Sequence, residues 1–279
     1  MVPKLSRGRA VSLPRVKDSY VELPPRRELS GAVRTIWVQA IGDAPYVQRH
    51  LPTGGMEVHF PVGGVPRLVG PLTGPLVVMA PGSTLVGVRF LPGAAPPFWD
   101  AAELLDQRIE LAEVWTGLAD RLGDVVASAS DPWTALERVQ DHLTVACAAA
   151  GTDRVVRATV RRLMPWLPAS MASIADDLAI SPAQLRRRCL HTLGVTPKVL
   201  QRTLRLQGFL ALAQARAAPT TRRNAAGLSG LAADVGYADQ AHLTRECVRL
   251  TGQTPRELRT ARRTTAPVVT TMQRPTDPS

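Results

Sequence analysis

Residues 174–197, IADDLAISPAQLRRRCLHTLGVTP, and residues 231–255, LAADVGYADQAHLTRECVRLTGQTP, carry one pattern twice. The copies align at an offset of 57 that becomes 58 after one inserted residue. Leu185 then pairs with Leu243, Arg187 with Arg245, Cys189 with Cys247, Gly194 with Gly252, Thr196 with Thr254 and Pro197 with Pro255. A duplicated unit constrains the fold strongly, because both copies have to form the same local structure. Each reads as a short helix, a turn, a capping residue (Ser181 or Asp239), a second helix with Arg on its outer face, and a Gly-x-Thr-Pro stop. That order is a helix-turn-helix, whose second helix suits a DNA major groove.

The charge falls where this reading needs it. The 279 residues carry a net +11. Residues 154–263 hold 19 Lys+Arg against 6 Asp+Glu, whereas residues 100–153 hold 3 Arg against 11 Asp+Glu. A polyanion-binding surface is thus confined to the repeat region, a distribution that fits a DNA reader with a separate control module.

Residues 1–30 contain four prolines and no sustained period, and are expected to form a flexible arm. From Val33 to Phe90, short apolar runs (TIWVQAI, MEVHF, PLVVMA, STLVGVRF) alternate with Pro-Gly punctuation, predicting a small β-barrel or sandwich. Residues 101–150 show helical spacing at Leu104, Leu105, Ile109, Leu111, Val114, Leu118 and Leu122, then at Trp133, Leu136, Val139, Leu143 and Cys147. The expected division is a sensor or dimerisation domain at 31–150, β-rich over 31–98 and helical over 99–150. A basic domain at 154–263 and a disordered tail at 264–279 follow. Inside the basic domain, RVVRATVRRLMPWL predicts a helix, and PKVLQRTLRLQGFLALAQARAA a long connector between the units. No apolar run is long enough to cross a membrane and no signal-peptide pattern appears, so a cytoplasmic protein is expected. Cys147, Cys189 and Cys247 are too far apart for a Cys-x-x-Cys site and read as buried apolar residues.

With GYADQAHLTRECVRLTGQTPRELR at 236–259 as its most patterned segment, the region 154–263 resembles the AraC-type transcriptional regulators. In that family two helix-turn-helix units are joined by a long helix. The segment before it, including GVRFLPGAAPPF at 87–98, resembles a sensor-type domain with a degenerate cupin-like barrel. The fold class implied is α+β: a small N-terminal barrel with helices, then an all-α double helix-turn-helix domain. Two departures stand out. Cys189 and Cys247 occupy positions where the family usually places a large aromatic, and Ala179 replaces the glycine that Gly236 supplies in the second turn.

The resemblance implies sequence-specific binding to double-stranded DNA, without a cofactor. RNA polymerase, a small-molecule effector and a second copy of the chain are further candidate partners. It places base contacts at Ala183, Arg186 and Arg187 in the first unit and at Gln240, His242, Thr244 and Arg245 in the second. Arginine reads guanine O6 and N7 together and glutamine reads adenine, while Ala183 offers only an apolar contact. Arg188, Lys198, Arg202 and Arg256 are expected on phosphates, which set register rather than sequence. Packing or a phosphate is the competing role for His242, and Tyr237 is expected to pack the turn.

Catalysis has no motif behind it: there is no phosphate-binding Gly loop and no nucleophile elbow. His50, Glu57 and His59 are the only N-terminal residues of metal-ligand type in a cluster, and they lack the usual cupin His-x-His spacing, so no metal is expected. Two alternatives stay open. One is a DNA-directed enzyme such as a repair alkyltransferase acting through a cysteine; the other is a DNA-binding protein without ligand control.

Overall fold

The computed structural model describes residues 19–42, 47–79, 82–95, 101–148, 153–167, 169–216 and 227–264. The first 18 residues of the expected arm, and the expected tail beyond residue 264, lie outside the described residues.

Among the described residues eight strands build the N-terminal domain: β1 (Ser19–Leu23), β2 (Val33–Ala40), β3 (Val47–His50), β4 (Glu57–Pro61), β5 (Arg67–Val69), β6 (Leu76–Met79), β7 (Thr84–Phe90) and β8 (Arg108–Glu110). They form an antiparallel sheet in the order β1-β2-β7-β4-β5-β8 and a separate ribbon of β3 and β6. Among the described residues the expected barrel is therefore not closed. The long sheet ends in two edges, and its two faces differ in chemistry.

That difference follows from the period of two in a strand. Ile36, Val38, Val58, Phe60, Val86 and Val88 share one face, and it is covered by helices α1 (Leu111–Ala127) and α2 (Pro132–Ala148) through Leu118, Leu122, Leu136, Val139 and Leu143. The intervening residues point the other way. Register sets Thr35 and Glu57 opposite Arg89, and Trp37 and His59 opposite Gly87. This second face sets the polar Thr35, Glu57, His59 and Arg89 beside an apolar patch of Trp37 and Leu85, and the His50 ring from the ribbon lies over it, 4.6 Å from that of His59.

Two sequence expectations are corrected here. The arm does not extend to residue 30, because β1 pairs along β2 and the buried Glu22 carboxylate meets Arg89. Leu29, in a short 3-10 turn, is fully enclosed. Nor do Leu104, Leu105 and Ile109 belong to a helix. Residues 101–106 form turns, Asp106 holds the amide and hydroxyl of Thr73 at 2.7 Å each, and Ile109 lies in β8.

The C-terminal domain comprises α3 (Arg154–Arg162), α4 (Met171–Asp177), α5 (Pro182–Leu193), α6 (Pro197–Ala215), α7 (Leu228–Asp234), α8 (Gln240–Thr251) and α9 (Pro255–Thr264). Leu185, Cys189 and Leu193 of α5 close one core with Ile174, Val156 and Val160; Leu243, Cys247 and Leu250 of α8 close another with Leu231 and Val235. The connector α6 serves both, giving Leu200 and Leu204 to the first and Leu206, Phe209 and Leu210 to the second. N-terminal segments dock on this framework. Leu51 packs against the second core and Leu105 against the first; the Gln207 side chain donates to the Pro52 carbonyl at 2.6 Å, and the Ala101 amide donates to the His191 carbonyl at 3.2 Å.

Both second helices of the repeat end at a left-handed glycine, Gly194 (φ 69°) and Gly252 (φ 70°). Their surroundings differ. A Cβ on Gly194 would fall 2.4 Å from the Ala101 carbonyl oxygen, while one on Gly252 would meet nothing closer than the Arg49 guanidinium at 3.9 Å. Gly252→Ala is expected to cost about 1–2 kcal/mol, the left-handed penalty alone. Gly194→Ala should cost more, since the docked segment has to shift. Urea unfolding of the full chain measures both, and equal losses would contradict the docking at Ala101.

Candidate nucleic-acid interface

In the first unit Ser181 caps α5: its hydroxyl accepts from the Gln184 amide at 3.2 Å, and the Gln184 side chain accepts from the Ser181 amide at 2.9 Å. This reciprocal arrangement, with Pro182 in the first turn, satisfies donors that the helix leaves unpaired. In the second unit the Asp239 carboxylate accepts from the His242 amide at 2.6 Å. The turn before α5 passes through Ala179 at φ 50°, the left-handed backbone that Gly236 adopts at φ 77° in the second copy. The alanine is thus held in a conformation that glycine takes more cheaply, and the duplicated geometry survives the substitution.

These caps fix the rotation of each second helix. With Leu185 and Cys189 turned into the first core, Ala183, Gln184, Arg186, Arg187 and Arg188 are exposed. With Leu243 and Cys247 inward, Gln240, Ala241 and Arg245 are exposed and His242 and Thr244 half-buried. Arg186, Arg187 and Arg245 make no ion pair among the described residues, so each retains a full set of donors. Thr244 donates its hydroxyl to the Gln240 carbonyl at 2.8 Å. His242 stands edge-on to the buried Tyr237 ring at 5.2 Å, a contact that packs the turn.

The four expected phosphate contacts divide into two pairs. Lys198 and Arg256 are exposed near the first turns of α6 and α9. Arg188 pairs with Asp153, the cap of α3, at 2.9 Å. Arg202 is gripped by Glu246 on two atoms, Nε at 2.5 Å and Nη2 at 2.9 Å, in a half-buried pair joining α6 to α8. Sequence reading missed this pair. Its only signal was an acidic residue on an otherwise basic recognition helix.

The thiols face inward. Burial pushes both Cys189 and Cys247 up to about 12, and Cys147 up to about 11. A nucleophilic cysteine needs the opposite shift.

A profile described as a helix-turn-helix domain matches residues 174–261, the span of both units and the connector. The C-terminal part of the chain is thus a helix-turn-helix domain. A profile described as a domain of unknown function (DUF6597) matches residues 21–110, from within β1 to the end of β8. No curated protein matches the chain. Solved structures that overlay on it are those of ToxT from Vibrio cholerae. An apo variant from strain SCE256 is 10% identical with a TM-score of 0.46, over 88% of this chain and 99% of that one. The strain O395 protein bound to (E)-4-(8-methylnaphthalen-1-yl)but-3-enoic acid is 8% identical with a TM-score of 0.44, over 88% and 99%. Wild-type ToxT bound to unsaturated fatty acid is 10% identical with a TM-score of 0.43, over 89% and 97%.

A second polar cluster lies between the two sheets of the N-terminal domain. Arg89 bonds Glu57 through Nε (2.7 Å) and Glu22 through Nη1 (2.6 Å), and His59 Nε2 lies 3.3 Å from Glu57 Oε2. Burial pushes the Glu57 carboxyl up, but Arg89 and His59 outweigh it and hold the group well below the usual carboxylate range. Strand alternation was the available signal, since it sets Arg89 across from Glu57.

Arg202→Ala leaves Glu246 half-buried without its partner, and is expected to lower unfolding stability by about 1–3 kcal/mol. Arg245→Ala, on the exposed face, should change stability by less than about 0.5 kcal/mol. Thermal unfolding separates them, and equal effects would contradict a structural role for Arg202.

Proposed function

We propose that this protein is a transcription regulator of the AraC type, which reads two adjacent major-groove segments, one with α5 and one with α8. Arg187 and Arg245 are the repeat-related base readers. Ala183, Arg186, Gln240, His242 and Thr244 complete the groove surface; Lys198 and Arg256 sit on phosphates, joined by Arg188 when it leaves Asp153. Arg202 stiffens the joint between α6 and α8. The observation that carries this reading is the shared rotation of α5 and α8: equivalent leucine and cysteine residues face inward, and the unpaired Arg187 and Arg245 face out. A rigid connector suits that task, because the same groove face returns about every 34 Å of duplex.

The N-terminal domain is the control module in this proposal. Its polar interior supports binding of a small effector, and its contacts through residues 51–52 and 101–105 reach the DNA-binding framework. Control then requires an effector with different affinity for two presentations of that framework. A second copy of the chain and RNA polymerase are the protein partners proposed, and the cytoplasm is the proposed compartment. No helix of the described residues is long and apolar enough to cross a membrane. Binding rather than catalysis is the activity proposed, since the three thiols are pushed away from reactivity.

Arg187→Ala or Arg245→Ala is expected to lose about 1–3 kcal/mol at a cognate site and little on random duplex. Equal losses on both DNAs would make these residues phosphate contacts. A fragment of residues 154–263 should retain binding that weakens steeply with salt, as displaced counterions require. Salt-independent binding would contradict the interface. Gel shift or fluorescence anisotropy measures each.

A further inference from the structure

His50, Glu57 and His59 come from both sheets and meet in the polar interior. One ligand atom from each lies within 4.8 Å of the others, and all three residues are buried. Two imidazoles and one carboxylate are a donor set that suits zinc and other late divalent transition metals, with a fourth position left for water or an exogenous ligand. The separation already present between His59 Nε2 and Glu57 Oε2, 3.3 Å, is close to the spacing of about 3.4 Å between two ligand atoms 2.0–2.1 Å from a tetrahedral ion. His50 on the ribbon has to move inward by roughly 1 Å to complete it, a small adjustment for a side chain at a strand end.

The surroundings support a metal rather than a purely internal network. His59 is fully enclosed, which keeps its Nε2 and the Glu57 Oε2 beside it out of bulk water. Glu57 is oriented by Arg89, whose Nε holds Oε1 at 2.7 Å while Nη2 lies 3.4 Å from Oε2, the oxygen that also faces His59. Ligating carboxylates are commonly fixed by such an outer partner. The positive charge of Arg89 would oppose a cation, but it is itself engaged by Glu22, a second buried carboxylate with one oxygen unpartnered.

We propose that His50, Glu57 and His59 bind one divalent transition-metal ion, and that the ion clamps the loop they enclose onto the DNA-binding domain. His50 ends β3 and Glu57 begins β4, so the ligands bracket residues 51–56. Within that loop Leu51 packs against the second helix-turn-helix core and the Pro52 carbonyl takes the Gln207 side chain of α6. A metal joining both ends of the loop shortens its excursions and holds that contact. This gives the control module a chemical class of effector, and so rests on the functional reading above. Metal binding is read without DNA, which keeps its failure distinct from failure of that reading.

The test uses the full-length protein, stripped with a chelator, dialysed, and titrated with Co²⁺ and then Zn²⁺. Equilibrium dialysis should find one equivalent bound. The Co²⁺ form should show the visible absorption of a four- or five-coordinate site, bleached by Zn²⁺. His50→Gln and His59→Gln should each weaken binding by more than about tenfold while keeping the wild-type far-ultraviolet dichroism. His50, at the rim, supplies the test if His59→Gln does not fold. Amide exchange of residues 51–56 should slow when Zn²⁺ is added to the wild type and not to His50→Gln. Absence of stoichiometric binding, or equal affinity in wild type and His50→Gln, overturns the site. Binding that leaves exchange of residues 51–56 unchanged overturns the clamp.

Discussion

Both helix-turn-helix units hang on one helix that neither can do without. Among the buried side chains of α6, Leu200 and Leu204 complete the first core and Leu206, Phe209 and Leu210 the second. Each fully buried side chain of this size contributes about 1.5–3 kcal/mol of apolar transfer energy. Neither small core can therefore give up its share. Because one helix fills two cores, their separation is fixed by its rise of 1.5 Å per residue rather than by a loop. Arg202, bonded twice to Glu246, ties the outside of the same joint.

The same helix is where the N-terminal domain arrives. Gln207 reaches the Pro52 carbonyl, and the Arg49 guanidinium lies near the Gly252 turn. The loop that makes the first of these contacts springs from the polar face of the long sheet, opposite the face buried under α1 and α2. One face of that sheet thus stabilises the module and the other offers chemistry. The connection between that chemistry and the helix-turn-helix framework is a six-residue loop, short enough for a change at its ends to be felt along its length.

Much of the C-terminal domain was legible because its determinants are local. Ser181 and Asp239, the Gly-x-Thr-Pro stops and the inward leucine and cysteine positions act within one or two turns, and duplication supplied an internal check. Ala179 shows the limit of residue preference: the turn keeps its left-handed backbone without glycine, since the packed helices on either side determine it. In the N-terminal domain strand alternation was readable, but strand order and the meeting of two sheets depend on contacts distant in sequence. Glu22 was assigned to a flexible arm because its partner Arg89 lies 67 residues away. Leu104 and Ile109 fit a helical period by composition, whereas the Asp106 turn and pairing of β8 with β5 decide otherwise. Arg202 looked like a phosphate ligand for the same reason, since Glu246 faces it only after α6 and α8 pack.

The central claim is that two rotationally equivalent helices on one rigid connector read two groove segments. Selection of bound duplexes from a random DNA pool by the full-length protein, at near-physiological salt, tests it most directly. The account predicts an enriched motif of two segments with centres about one helical turn apart. Salt-sensitive binding that enriches a single segment, or no motif at all, would contradict it.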